Sequence, residues 1–515
     1  MQQNVSSNNK RIAKNTLLLY VRMFFIMATQ LYTSRVILNT LGVEDYGIYN
    51  VVGGVIAMLG FLNGAMSLAT QRYLTFELGK GNLLCQIKVF NTSVQIHALI
   101  ALIVFILAET IGVWFLYNKM IIPFERLGAA MWVFQCAILS SMVVVMSVPF
   151  NASIIAHEKM SAFAYISVIE VVLKLAIAYV LVVFDVDKLK LYACLILCVH
   201  ILIIWIYNRY CIKRFEECKF KKIFHKHLFK EMLAFAGWNV IGNCAYLLLS
   251  HGLNILLNVF FGPIVNAARA IAVQVESAIQ QFSNNFQMAI NPQITKTYAQ
   301  GDLQAMHKLI FRSSRFTFLL LFILSLPVMI EVSVILELWL KQVPDHAGNF
   351  FIIMMTTMIV DSMAKPFGIA AAATGEVKKY QTIVGGALLS IVPIAYVVLK
   401  LGGSPENVFF VHLAVVIATF FVRLLMIKSM IRLSIFEFFK EVLSRATIIA
   451  TICVTLALFT KYLLPKTIIG SVIVCLLSFL FALIFSFTLG LTKNEKLLIF
   501  SRVKSVINKF NSKQQ

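Results

Sequence analysis

The sequence predicts an all-α membrane protein of about fourteen transmembrane helices, arranged as two pseudo-repeated six-helix lobes plus two extra C-terminal helices. Its 515 residues are 60% hydrophobic and 13% charged, with a mean hydropathy of +0.85. A soluble chain of this length presents much of its surface to water and has no use for such a composition. Apolar runs recur along the whole chain, and the loops between them are short and basic. Short motifs also recur at a nearly constant offset, at equivalent points of the pattern.

Taken in order, the predicted spans are 16–41, 46–70, 89–117, 125–149, 161–184, 191–208, 232–261, 264–290, 309–334, 349–374, 380–400, 406–427, 446–463 and 467–490. An even number puts both termini on one side. The polar segment from Met1 to Asn15 precedes a span too long for a signal sequence, so no cleaved leader is expected. With the flanking turns counted, 31 of the 45 Lys and Arg fall on the side of the termini, 8 on the other side and 6 inside spans. Basic loops stay in the cytoplasm, so both termini are expected there, in a multi-pass membrane protein. Dropping one span would scramble this asymmetry, which supports the count.

The expected organisation is an N-lobe over 1–207, a basic cytoplasmic linker over 208–231 and a C-lobe over 232–430. Spans 13 and 14 follow within 431–490, and a basic cytoplasmic tail occupies 491–515. Those last two spans carry almost no charge, so they face lipid or cover a groove. The net charge of +22 reads as membrane orientation and contact with lipid head groups; no nucleic-acid partner is expected. The nine cysteines are scattered and mostly lie in apolar runs, without CxxC or HExxH. No metal or cofactor is expected. There is no Walker A sequence, and no catalytic triad or carboxylate pair, so the chain does not read as an enzyme.

The repeat rests on three echoes. Leu41-Gly42-Val43 after span 1 matches Phe261-Gly262-Pro263 after span 7. Gly81-Asn82, with Lys88 beyond it, matches Gly301-Asp302 and Lys308. His157-Glu158-Lys159 after span 4 matches Gly375-Glu376 and Lys378 after span 10. Parallel repeats of this kind hold a substrate site between the repeated bundles.

The stretch from Trp238 to Gln300 carries the chemistry. On a helix, Asn239, Asn243, Tyr246 and Ser250 fall within about 60° of one another, with Asn254 at the edge. Arg269, Glu276, Gln280 and Gln287 fall within about 40°, flanked by Asn266, Asn284 and Asn291. Lipid cannot solvate these groups, so the stripes face either each other, as interhelical hydrogen bonds, or a water-filled cavity. With the flanking turns set aside, six cations lie inside spans: Arg22, Arg35, Lys174, Arg269, Lys365 and Arg423. Glu170 with Lys174, and Asp361 with Lys365, are spaced i,i+4 and can neutralise each other, while Arg423 lies close enough to a span end to snorkel. Arg269, Arg22 and Arg35 have no such local partner. An arginine fork suits phosphate or pyrophosphate, because its parallel donors match paired oxygens.

The segments Leu41-Gly42-Val43-Glu44-Asp45-Tyr46-Gly47-Ile48-Tyr49, Gly79-Lys80-Gly81-Asn82, and Pro292 followed by Gly301-Asp302 resemble bacterial polysaccharide-export proteins. These are Wzx-type flippases of the multidrug/oligosaccharidyl-lipid/polysaccharide (MOP) superfamily, which also holds the MATE drug exporters and the lipid II flippases. The resemblance implies two six-helix lobes around a central cavity that work by alternating access. It implies export of an O-antigen, capsule or exopolysaccharide repeat unit on a polyprenyl-diphosphate carrier, as in lipopolysaccharide assembly, with lipids and other polysaccharide-assembly membrane proteins as partners. Arg269 and Arg22, with Arg35, would grip the pyrophosphate beside Glu276; Asn239, Asn243, Gln280 and Asn284 would meet sugar hydroxyls. The rival of the same fold is a cation-coupled drug or metabolite antiporter. In that case Glu276, Asp361, Lys365, Glu170 and Lys174 are the candidate coupling groups.

Overall fold

An apolar segment hides its backbone polar groups from lipid by closing every hydrogen bond within a helix. The computed structural model follows that rule: among the described residues it has 15 long helices and no strand. It describes residues 2–58, 60–118, 122–184, 186–219, 221, 224–340, 343–492 and 495–496. In chain order the helices are α1 (Gln2–Met58), α2 (Gly60–Lys80), α3 (Leu83–Asn118), α4 (Phe124–Ala156), α5 (Met160–Val183), α6 (Lys188–Arg214), α7 (Lys226–Phe261) and α8 (Pro263–Ala299). There follow α9 (Leu303–Ile330), α10 (Val332–Leu340), α11 (Ala347–Thr374), α12 (Val377–Lys400), α13 (Pro405–Ile431), α14 (Ile435–Leu463) and α15 (Ile468–Gly490).

Among the described residues, 11 helices are long and apolar enough to cross a membrane: α3 to α7, α9, and α11 to α15. The other three predicted spans fall on α1, α2 and α8. The first two meet on α1, which breaks at Gly42 (φ 80°, ψ 167°), and the second also takes in part of α2. The third, α8, carries the amide and charged stripe that lowers its hydropathy. The all-helical, fourteen-span reading therefore holds approximately.

The internal duplication is written in the backbone. Gly42 and Gly262 both have φ of 80°, and Gly81 and Gly301 have 71° and 78°. A Cβ disfavours this left-handed region, which is why glycine recurs at these turns. The third echo gives Glu158 at 58° and Gly375 at 86°. The helix starts repeat as well: Asn82 Oδ1 accepts from Cys85 N at 3.1 Å, and Asp302 Oδ1 accepts from Ala305 N at 2.9 Å. Each satisfies a donor that a first helical turn leaves open.

Two compact units result. The first comprises Met1–Cys244, Met288–Met306 and Ala372–Thr382; the second comprises Ala245–Gln287, His307–Ala371 and Ile383–Gln515. In the first unit, α1 to α6 enclose a core that includes Leu19, Phe90, Ile154, Phe163 and Ile196. The segment after α6 docks onto this unit. The Phe215 ring stacks on His157 with centroids 4.0 Å apart, His157 Nε2 lies 2.5 Å from Glu217 Oε1, and Lys221 N donates to Asn91 Oδ1 at 2.8 Å.

In the second unit, Phe367, Phe420 and Phe438 meet as a buried ring cluster. The last two helices are tied to α9 and the turn after it. Glu331, directly after α9, accepts from Ser471 Oγ at 3.0 Å and lies 3.5 Å from Lys461 Nζ. Beyond α15, both carboxylate oxygens of Glu495 lie 2.7 Å from Arg315 Nη2. Exposed Ile469, Val472, Leu476 and Leu480 leave α15 with an apolar outer face suited to lipid.

Candidate functional site

Arg269 on α8 is 9% exposed, and α7 holds it. Its Nη1 donates to Asn254 Oδ1 at 3.0 Å, and its Nη2 donates to the Ser250 carbonyl at 3.1 Å and to Ser250 Oγ at 3.3 Å. The buried Nε has no hydrogen-bond partner among the described residues. The two stripes thus face each other at this level, and interhelical hydrogen bonding accounts for most of the fork. The outer side of the stripe is nevertheless open: Ser250 and Asn254 are exposed, as is Asn284, and Tyr246 is 49% exposed. Such polar exposure on helices that are otherwise apolar needs water or a polar ligand.

Behind this face, in the same unit, lies a charged cluster. Asp361 on α11 accepts from Arg423 Nη1 on α13 at 2.8 Å and from the Tyr246 hydroxyl at 3.2 Å. Arg423 is buried, so it does not snorkel. Lys365, one turn after Asp361, donates to Asn284 Oδ1 on α8 at 3.1 Å. The expected Asp361–Lys365 pair is therefore replaced by two contacts to other helices. Glu276 lies within electrostatic reach of Arg269, Asp361 and Lys365. Three cations and two carboxylates meet here, and each carboxylate sees more than one cation.

Other sequence-predicted residues lie in the first unit. Asn239 is 2% exposed and its amide is engaged at both ends: Nδ2 donates to the Phe235 carbonyl and Oδ1 accepts from Gln381, each at 2.8 Å. Asn243 is exposed, and its Nδ2 is 3.9 Å from where a Cβ on Gly64 of α2 would stand. Arg22 places its guanidinium 4.3 Å from the centre of the Phe163 ring, near Glu170 and Tyr207. Glu170 and Lys174 form the expected pair at 2.6 Å. Gln280 on α8 belongs instead to the second unit and is half-buried. The side chain of Arg35 lies outside the described residues.

Sequence reasoning missed a group at the end of the first unit where the loops are basic. Arg72 on α2 donates through Nε to the Ala372 carbonyl and through Nη2 to the Ala373 carbonyl, each at 3.0 Å. Beside it a cavity of about 380 Å³ is lined by Tyr73, Glu231, Trp238, Gly375 and Lys378. Glu158 accepts from Lys296 Nζ at 2.8 Å and from Gln293 Nε2 at 2.5 Å. These partners are far apart in sequence, so no local spacing announces them. Among the described residues no three His, Cys, Asp or Glu side chains converge as a metal site.

No protein-family model matches the sequence, and no curated protein matches it. Solved structures do. A MATE in the bent conformation superimposes with a TM-score of 0.72 at 11% identity, over 82% of this chain and 96% of that one. An outward-facing multidrug resistance MATE family transporter of the MOP superfamily gives 0.66 at 14% identity, over 82% and 96%. A MOP superfamily transporter from Pyrococcus furiosus, described as having a binding pocket of reversed polarity, gives 0.65 at 14% identity, over 81% and 96%. Almost all of each of those chains has a counterpart here, whereas nearly a fifth of this chain lies outside each match. With its duplicated backbone and buried charged cluster, the chain carries the fold of the MATE transporters of the MOP superfamily.

Proposed function

We propose that this protein is a membrane transporter that flips a polyprenyl-diphosphate-linked oligosaccharide from the cytoplasmic to the outer leaflet of a bacterial inner membrane. The observation that carries the reading is the open polar face of α7 and α8, formed by Tyr246, Ser250, Asn254 and Asn284, with Arg269 and Lys365 behind it. Hydroxyls and amides of this kind can exchange water for sugar hydroxyls without burying an unpaired group. Cations outnumber carboxylates in the cluster, which favours an anionic head group over the cationic substrates of a drug antiporter. The oligosaccharide and pyrophosphate would occupy the polar face while the polyprenyl tail stays in lipid, and alternating access would deliver the head outward.

The second reading is a cation-coupled antiporter, and one observation favours it: carboxylates lie deep in the second unit. Asp361 already carries Arg423 and Tyr246, which leaves the half-buried Glu276 as the candidate ion site. The deciding experiment replaces Arg269 with Ala in a cell's sole copy of this protein and reads the surface glycan. Loss of the glycan with normal protein in the membrane supports the flippase. Normal glycan, together with drug sensitivity of a deletion strain, supports the antiporter.

A further inference from the structure

Two contacts at the basic end of the first unit are related by the internal repeat. In one, α2 reaches the end of α11: Arg72 fills the Ala372 and Ala373 carbonyls, which a helix C-terminus leaves without partners. In the other, α8 reaches the turn after α4, where Gln293 and Lys296 hold the Glu158 carboxylate. Arg72 and Gln293 lie at nearly the offset that separates Gly81 from Gly301, and Gly375 and Glu158 carry the matching left-handed turns. Each half of the sequence thus sends its second span to the end of the other half's fourth span. The chemistry is inverted between the two sites, a cation on carbonyls in one and a carboxylate on donors in the other.

Close packing accompanies both contacts. A Cβ on Gly79 would stand 2.8 Å from Ala299 Cβ, and these two residues are themselves equivalent positions of the repeat. The two helices therefore approach closely at Gly79 and Ala299, where neither side chain is bulky. A Cβ on Gly375 would stand 3.0 Å from Arg72 Nη2. The Arg72 guanidinium also sits 4.4 Å from the centre of the Tyr73 ring and 4.9 Å from that of Phe76, which fixes its direction. Glu158 holds a positive φ that a residue with a Cβ rarely adopts, at the position where the other half uses glycine.

We propose that these two contacts are a paired latch that closes the cytoplasmic end of the transport path, and that both must break before substrate enters from that side. In lipid there is no hydrophobic drive to hold apolar helices together, so charge-assisted hydrogen bonds and tight glycine packing are the available fasteners. Because the fasteners are separate, breaking one leaves the other in place, and the two losses combine. The proposal rests on the reading of the chain as a transporter but not on the identity of its substrate.

The test measures accessibility, without glycan. Asn243→Cys is introduced into a cysteine-free version of the full chain in inside-out membrane vesicles, and its reaction with an impermeant maleimide is timed. With the latch intact, labelling is slow. Arg72→Gln combined with Glu158→Gln is expected to raise the rate about tenfold or more by shifting the population toward the open form. Each single variant is expected to give a smaller rise. Gly375→Ala, which leaves Arg72 in place but crowds it, is expected to match Arg72→Gln. An unchanged rate in a double variant that inserts and runs as a single species in detergent overturns the latch. So does an unchanged rate in Gly375→Ala, should the double variant fail to fold. A wrong substrate assignment leaves these rates untouched, so the two ideas fail separately.

Discussion

Arg423 Nη1 lies 2.8 Å from Asp361 Oδ1, and this pair joins α13 to α11 with both side chains buried. The Tyr246 hydroxyl donates to the other Asp361 oxygen, so the carboxylate is satisfied from two helices. A charge buried in this way is stable only while its partner remains. Asp361→Asn is therefore expected to destabilise the protein by about 3–5 kcal/mol. Asp361→Leu combined with Arg423→Met is expected to recover most of that loss. Thermal unfolding of the detergent-solubilised variants measures both. Equal losses in the single and the double variant would show that the pair is not the source.

Arg269 combines a charge with a shape, and substitution can separate them. Arg269→Lys keeps the charge but cannot reach Asn254 Oδ1 and both Ser250 oxygens in one plane. Losing a hydrogen bond to a charged group costs about 1.5–3 kcal/mol, so transport by Arg269→Lys is expected to fall about tenfold or more. Surface glycan in a complementation assay provides the measurement. Wild-type export by the lysine variant would mean that only the charge matters.

How much of this was legible beforehand depends on the range of the interaction. Each apolar run has to be helical in lipid, so the spans, and the break at Gly42, follow from residue order. The glycine echoes were legible for the same reason: a left-handed turn after a helix selects its residue locally. Local spacing also found Glu170–Lys174. It failed at Asp361–Lys365, because Arg423 comes from another helix and Asn284 draws Lys365 away. Arg72 was hidden further still. It stands in a stretch that reads as an ordinary basic loop flank, and its acceptors are backbone carbonyls, which no side-chain pattern reveals.

Glu495, just beyond α15, is expected to act as an anchor. Glu495 receives Arg315 on both oxygens at 2.7 Å, and Arg312 Nε lies 3.5 Å away. Glu495→Ala leaves a guanidinium that is 3% exposed without its counter-ion, an expected loss of about 3–5 kcal/mol. Faster proteolysis of the tail and of α15 in membranes is the accompanying sign. A thermal midpoint unchanged by Glu495→Ala would show that the last helices are held by packing alone.

The crossing of α2 and α8 gives the sharpest size test. Gly79→Ala places a methyl group 2.8 Å from Ala299 Cβ and 3.1 Å from the Lys296 carbonyl, closer than carbon atoms tolerate. The helices must move apart, and overpacking of this kind costs about 1–3 kcal/mol. The displacement would fall next to Lys296, so the Glu158 contact should loosen with it. Gly79→Ala is therefore expected to raise maleimide labelling of Asn243→Cys from the cytoplasmic side, even though every charged residue is intact. Ala299→Gly in the same chain removes the opposing methyl and is expected to bring the rate back down. If the rate stays high in the double variant, the crossing is not what spaces these two helices.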